Sequence, residues 1–351
     1  MLVVHMDSGL GNQMLDYAEY LTVQKCNPDQ KCYLENLIYE LPQKPGMFSM
    51  WNGYELNRIF GIEVPNVKEL FTEEQWKQIL ADVEVSEFWL DDWNFSPHIV
   101  KAFEKQGLKL NNYGKIPGKK LQKPKNWKET MGYLKAKMLQ TKYGYHMKRI
   151  IRAAFADRII AKDSLECKVF RKYPEDSFVG HSLAYRYKTS GIEKMEDEIR
   201  EAFQFPEIKD ENNRRILDLV RSTNSVSIHA RRSDLLFVNG YCYKYGFFKR
   251  SVKYIKRVVK DPIFVFFTDE KSVGWCEENE TIFGLDFSKD QVEFVTWNKG
   301  ENSFRDMQLM AECKHNIITE SSFGFWGAYL NRNPKKIICA PDIRIWSTHS
   351  F

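Results

Sequence analysis

At 351 residues, with 43% hydrophobic and 28% charged side chains, the chain is long enough for two medium domains, each burying its own core. A net charge of +5 suits an anionic small molecule or an anionic membrane surface and falls short of the footprint of a nucleic-acid binder. Seven scattered cysteines with no CxxC pair and no Cys/His cluster argue against a structural zinc site and for free thiols in a reducing, cytoplasmic compartment.

The apolar opening Met1–Val4 is too short for a signal peptide or an anchor, and no later run reaches the roughly 18 apolar residues of a spanning helix. Residues 1–6 predict a buried strand and Ser8–Asn12 a tight glycine turn. A helix follows whose apolar positions Met14, Tyr17, Ala18 and Leu21 recur at i, i+3, i+4 and i+7. Strand, glycine turn and helix open a nucleotide-fold domain, although Met14 occupies the place of the third glycine of a dinucleotide fingerprint. From about 40 to 130 the pattern is irregular, with a helical stretch at Thr72–Leu80 and an aromatic loop at Trp89–Trp93. Residues 115–152 carry twelve Lys or Arg against one acid, Glu129, within an expected basic helical insertion over about 115–160. That insertion reads either as a solvated helical face or as a surface for anionic lipid headgroups.

An amphipathic helix over Ile192–Phe203 ends at Phe205-Pro206, and the polar run after it predicts a boundary between domains 1–208 and 209–351. Alternation is then clear. Helix 212–222, strand 225–230, helix 247–260, strands 263–268 and 292–296, helix 303–313, strand 315–319, helix 322–331 and strand 336–340 follow in order. Continuous apolar strands between amphipathic helices predict a parallel sheet covered on both faces, whose ligands bind beyond the carboxyl ends of the strands.

The residues leaving those ends carry the chemistry. Strand 225–230 runs into His229-Ala230-Arg231-Arg232-Ser233-Asp234. Adjacent arginines at the end of a buried strand need an anionic partner, and a guanidinium fork matches a phosphate with two parallel bonds. An internal bridge from Arg232 to Asp234 is the competing reading; one arginine on the ligand and the other bracing the loop satisfies both. Strand alternation puts His229 and Arg231 on one side and Arg232 on the other, toward Asp234, Asp269 or Glu270. Asp269 and Glu270 otherwise cap the next helix. Ser321, Ser322 and Phe323 open the helix after strand 315–319, either as plain N-caps or as an anion cradle. No metal-ligand constellation stands at a strand end, so no metal and no cofactor is expected.

Five blocks together resemble glycosyltransferase family 11, the α-1,2-fucosyltransferase family. They are Gly9-Leu10-Gly11-Asn12-Gln13-Met14, the HxRRxD of 229–234, Phe267-Thr268-Asp269-Glu270, Asp306-Met307-x-Leu309-Met310, and the run from Asn316 through Ser321-Ser322-Phe323 to Trp326-Gly327-Ala328-x-Leu330-Asn331. The resemblance implies a GT-B fold of two Rossmann-like domains, an acceptor-side N-terminal one and a donor-binding C-terminal one. It implies inverting, metal-independent transfer of fucose from GDP-β-L-fucose to the 2-hydroxyl of a terminal galactose in a glycan, of the kind found in bacterial surface polysaccharides. It places Arg231 on the diphosphate, His229 and Asp306 near the nucleoside, Ser321–Phe323 along the phosphates, and Gly11 and Asn12 facing the donor. Ser233, Glu320 and the segment Leu183–Tyr187 depart from the family pattern, which touches acceptor choice more than donor choice. The residues do not single out a general base among Asp7, Asp16, Asp234 and Glu320. Two other readings stay open: an inverting GT-B transferase with a different nucleotide sugar, and a non-catalytic polyanion binder built on residues 115–152.

Overall fold

The computed structural model describes residues 1–42, 52–90, 95–114, 127–139, 171–180, 192–230, 242–244, 246–319 and 321–341, with residues 141, 143, 144, 147, 150 and 154. The chain divides into two compact units between Gln204 and Phe205. The chain from Phe205 onward is tied to the second unit: Arg305 donates to the carbonyls of Pro206 and Glu207 at 2.6 and 3.0 Å, and Phe205 stacks on Phe304.

The first unit holds a parallel sheet in the order β2-β1-β4-β3, formed by β1 (Leu2–His5), β2 (Cys32–Glu35), β3 (Asn111–Asn112) and β4 (Ser177–Gly180). Leu2 lies opposite Cys32 on one side and Ser177 on the other, and β1, β2 and β4 are buried throughout. One face packs on an aromatic core that includes Trp76, Phe88, Phe95, Phe103 and Phe178. The expected opening strand is therefore present but ends at His5. The expected first helix runs from Leu10 to Cys26, and it is not amphipathic in its setting: Gln13, Asp16, Glu19 and Thr22 are buried beside the apolar positions. Thr72 caps the helix Glu73–Ser86 through a reciprocal pair of bonds with Gln75, and the helix runs six residues past the expected end at Leu80. The stretch 192–203 splits into a 3-10 turn, Ile192–Met195, and a short α-helix, Glu196–Ala202, with Phe203 packed on Tyr17 and Phe60. Of the basic insertion, the helix Trp127–Leu139 and a few residues after it are described.

The second unit is a five-stranded parallel sheet in the order β7-β6-β5-β8-β9. Its strands are β5 (Asn224–His229), β6 (Pro262–Phe267), β7 (Gln291–Val295), β8 (His315–Ile317) and β9 (Ile338–Cys339). The chain lays β5, β6 and β7 outward to one side, then returns to place β8 and β9 on the other. The topological switch point thus falls between β5 and β8, which pair through Val226–His315, Ser227–Asn316 and Ile228–Ile317. Helices Glu211–Ser222, Phe247–Val258, Glu270–Glu278, Phe304–Glu312 and Ser322–Leu330 connect the strands as expected. The last two strands are shorter than their apolar runs because few residues there find ladder partners.

Buried amides fix the helix that follows β8. Asn316 donates to Ser227 Oγ and to the Met310 carbonyl at 2.8 Å, while Asn331 donates to Asn316 Oδ1 and to the Cys313 carbonyl at 2.8 and 2.7 Å. Through Asn331 the C-terminal end of helix Ser322–Leu330 is therefore held to Asn316 on β8. Gly327 lets that helix approach helix Phe304–Glu312, since a Cβ there would stand 2.8 Å from Met310 Cβ. Each unit holds a Rossmann-like parallel α/β sheet, as expected of two such domains.

Candidate active site

His229 closes β5 and is almost fully buried. Its ring tilts against Phe323, 5.6 Å between centroids, and a Cβ on Gly324 would meet His229 Nδ1 at 2.8 Å. The chain therefore needs glycine at 324 for the imidazole and the start of helix Ser322–Leu330 to occupy neighbouring space. Two motif blocks about ninety residues apart meet in this way, at the switch point where a parallel sheet opens for ligands.

Ser321 occupies the N-cap position of that helix, yet its hydroxyl makes no capping bond to the first turn. A helix start presents backbone N–H groups and a partial positive charge, which together attract anions. Just before it, Thr319 is buried, and its Oγ1 has no hydrogen-bond partner among the described residues. A buried hydroxyl in that condition costs free energy unless a ligand or water meets it.

The end of β5 is locked to β6, with Ala230 N donating to the Phe267 carbonyl at 3.2 Å and Thr268 Oγ1 to the Ala230 carbonyl at 2.9 Å. Arg231, Arg232, Ser233 and Asp234 follow that fixed point and lie outside the described residues, as does Glu320. Of the expected brace, only Asp269 is described. It stands at the N-cap of helix Glu270–Glu278, where Ser272 Oγ donates to both of its carboxylate oxygens at 3.0 and 2.9 Å.

Asp306 sits in the first turn of helix Phe304–Glu312 and reaches the same carboxyl edge from the β7 side. Asn298 donates to its Oδ1 at 2.8 Å. Asn298 and Asn213 clasp each other through two amide bonds of 2.8 and 3.0 Å, and Trp297 Nε1 is a second donor to Asn213 Oδ1. Burial pushes the Asp306 carboxyl up to about 7, only partly offset by the Asn298 bond. Such a group titrates in the physiological range and, when ionised, is a strong acceptor pair.

Gly11 and Asn12 belong to the first unit, in the opening turn of helix Leu10–Cys26 beyond β1. The order β2-β1-β4 makes this edge a switch point too. Here His5 is wholly buried between Glu35 Oε2, 2.5 Å from Nδ1, and Asp7 Oδ2, 3.3 Å from Nε2, and it stacks on Phe95. Burial opposes a charged imidazole, but the charge of Glu35, hydrogen bonds to Asp7 and Glu35, and the charge of Asp7 outweigh it and raise the His5 pKa to about 10. Asp16 accepts from the Asp7 amide at 3.3 Å. Gln13 donates to the carbonyls of Ser8 and Gly53 and accepts from the Glu55 amide, holding the turn to the segment that follows residue 52. Ser8 itself adopts φ +67, with its carbonyl also taken by Tyr39.

The sequence reading missed Thr319, Asn298, Asn213, His5 and Glu35. His5 and Glu35 each end an apolar strand, a place where a charge is out of pattern, and that signal was available. The asparagines carried none, because nothing in their local pattern links positions 213 and 298. Among the described residues no group of three His, Cys, Asp or Glu side chains is arranged to hold a metal ion.

The sequence profile of Glycosyl transferase family 11 matches residues 134–343. An Escherichia coli alpha-1,2-colitosyltransferase is 35% identical over 131 residues, 35% of this chain and 42% of that protein. The O-antigen biosynthesis glycosyltransferase WbnK of Escherichia coli is 30% identical over 130 residues, covering 35% and 40% of the two chains. Galactoside alpha-(1,2)-fucosyltransferase 1 of Saimiri sciureus is 30% identical over 115 residues, 31% of this chain and 30% of that one. The matches thus span less than half the length of these relatives. Among solved structures, the NodZ alpha-1,6-fucosyltransferase co-crystallised with GDP aligns over 93% of this chain and 90% of its own, at 13% identity and a TM-score of 0.42.

Proposed function

The chain belongs to glycosyl transferase family 11, and from that premise we propose that it is an inverting α-1,2-fucosyltransferase, moving L-fucose from GDP-β-L-fucose to the 2-hydroxyl of a terminal galactose. The observation that carries the reading is the meeting of His229 with the uncapped helix start at Ser321–Gly324, beside the buried Thr319 hydroxyl, at the switch point of the second sheet. The α-1,2 linkage in the names of two relatives supports the regiochemistry, and the O-antigen name of a third supports a bacterial surface polysaccharide as acceptor.

Fucosyl transfer passes through an oxocarbenium-like state while negative charge collects on the departing diphosphate. In the proposed mechanism the helix start, the Thr319 hydroxyl and the Arg231 guanidinium receive that charge where it develops. Asp306, ionised and aimed by Asn298, accepts the N1–H and N2–H2 groups of guanine. The family resemblance assigns Gly11 and Asn12 to the donor as well. The arginine fork neutralises the diphosphate without a metal, so transfer survives excess EDTA; activity lost to EDTA and restored by manganese would remove that part of the mechanism.

A second donor has a specific observation behind it, the colitosyl transfer named for the 35% identical relative. The test is a thermal-shift series with GDP, GDP-fucose, the corresponding colitose donor, and uridine and adenosine nucleotides, followed by linkage analysis of the product by NMR. Stabilisation by GDP and GDP-fucose with an α-1,2 product supports the proposal. Preference for the colitose donor makes the second reading correct. Stabilisation by heparin alone, with no transfer, leaves a polyanion binder.

A further inference from the structure

Helix Trp127–Leu139 presents an apolar stripe to solvent. Trp127 is 75% exposed, and Met131, Leu134 and Met138 are each more than half exposed. Their spacing of four, three and four residues, at about 100° per residue, gathers all four within roughly 60° of the helix circumference. A soluble domain turns such a stripe inward. By helical position Lys128 and Lys135 flank it on one side and Lys137 on the other, while Glu129, the only acid from 115 to 152, falls on the opposite face. The same four-three spacing recurs at Tyr143, Met147 and Ile150, all of them exposed.

Charge points to the occupant. The twelve Lys and Arg of 115–152 exceed the single acid by more than twice the net charge of the whole chain, so the rest of the protein is net negative. A second copy of this surface would be repelled by its own lysines. A nucleic acid would engage the lysines and leave the tryptophan, methionine and leucine in water. A bilayer with anionic headgroups takes both: apolar side chains sink beneath the headgroups while flanking lysines extend up to the phosphates.

We propose that Trp127–Leu139 is an interfacial helix that docks the protein on an anionic membrane, with Trp127, Met131, Leu134 and Met138 as the inserted face. The inference is independent of the donor and of the reaction, since no residue of either switch point enters it. Docking would bring the protein to glycans carried on lipids.

The full chain is floated with phosphatidylcholine vesicles, with and without phosphatidylglycerol, at low and high salt. Binding is expected only with phosphatidylglycerol and is expected to weaken with salt. Trp127→Ser/Leu134→Ser keeps every charge and should bind those vesicles about tenfold more weakly, with heparin retention unchanged. Lys128→Gln/Lys135→Gln/Lys137→Gln should lose about tenfold on both. Trp127 emission, taken as the difference from Trp127→Phe, should shift to the blue on vesicles. Far-UV circular dichroism and thermal melts of the variants verify that these exposed changes leave the fold intact. Equal flotation on neutral vesicles, or undiminished binding by Trp127→Ser/Leu134→Ser, overturns the proposal. So does self-association in sedimentation that this pair of substitutions abolishes, because a second copy would then cover the stripe.

Discussion

The two units offer the same topological place, the carboxyl edge at a switch point, and furnish it in opposite ways. At the end of β1 the charges are answered from within: His5 stands between two carboxylates, Glu35 also accepts the Leu37 amide at 2.7 Å, and Ser8 Oγ donates to Asp7. Beyond β5 and β8 the buried Thr319 hydroxyl has no described partner, the Ser321 hydroxyl leaves its helix uncapped, and Asp306 is held near neutrality by burial. One edge is completed by folding, while in the proposal above the other is completed by a ligand. Substitutions should divide along that line, costing stability in the first unit and binding in the second.

The largest expected effect is Glu35→Gln. It leaves a buried imidazolium with one carboxylate fewer, a change that typically costs about 3–5 kcal/mol. The pH dependence follows from the raised His5 pKa, about 10 against an ordinary 6.5. The charged imidazole contributes fully below about pH 6.5, and the contribution is lost as pH rises through about 10. Urea unfolding should therefore show the widest gap between wild type and variant near pH 6 and a narrower one near pH 10. An equal gap at both would mean that His5 is neutral in the fold.

Gly324→Ala comes next. The added methyl meets His229 Nδ1 at 2.8 Å, so the helix start or the ring must move, at a cost of about 1–3 kcal/mol for overpacking. Because that movement opens the junction between the two motif blocks, GDP affinity should fall by about tenfold as well, read by calorimetry. A stability loss with GDP affinity unchanged would separate His229 from the donor site.

Thr319→Val tests the comparison most cleanly. The shape is kept and a buried hydroxyl without a described partner is removed, so the melting temperature should hold or rise. Loss of a hydrogen bond to a charged phosphate should weaken GDP by about tenfold, the equivalent of roughly 1.4 kcal/mol. A lowered melting temperature with normal GDP binding would make Thr319 a structural residue.

The last expected effect is a gain in stability, in Asp306→Asn. The carboxyl titrates near 7 in the fold against an ordinary value of 3.8, so ionisation penalises the fold as pH rises from about 4 to above 7. Asparagine removes the penalty, and the melting temperature should climb by a few degrees, roughly 2–4 °C, at about pH 8 and by less at about pH 5. The preference for GDP over inosine diphosphate, which lacks the N2 amino group, should collapse in the same variant.

The opening strand, the strands of the second unit in their order along the chain and the residues that leave their carboxyl ends were legible in the sequence, because apolar runs and their glycine or charged terminators are local signals, whereas the short strands β2, β3 and β4 of the first unit were not among the expected elements. His229 and Ser321–Phe323 follow from such positions and Asp306 from the family resemblance, and all of them stand at the carboxyl edge of one sheet. Met14, Tyr17, Ala18 and Leu21 predict the helix Leu10–Cys26 by their spacing, but the burial of Asp16 and Glu19 beside them is a fact of packing that periodicity does not report. Asn316 and Asn331 were read as parts of a motif, and they prove to be the pair that pins the helix to the sheet.

What the sequence determined by itself was the alternation of strand and helix and the chemistry available at each strand end, since both depend on neighbours a few residues apart. Only the tertiary structure decided which of those chemistries are spent internally. His5, Asp7 and Glu35 neutralise one another because β1 and β2 pair in register, whereas Asn213 and Asn298, 85 positions apart, meet to aim Asp306. Charge compensation in a protein acts over a few ångströms of space, a distance that the spacing of residues along the chain does not encode.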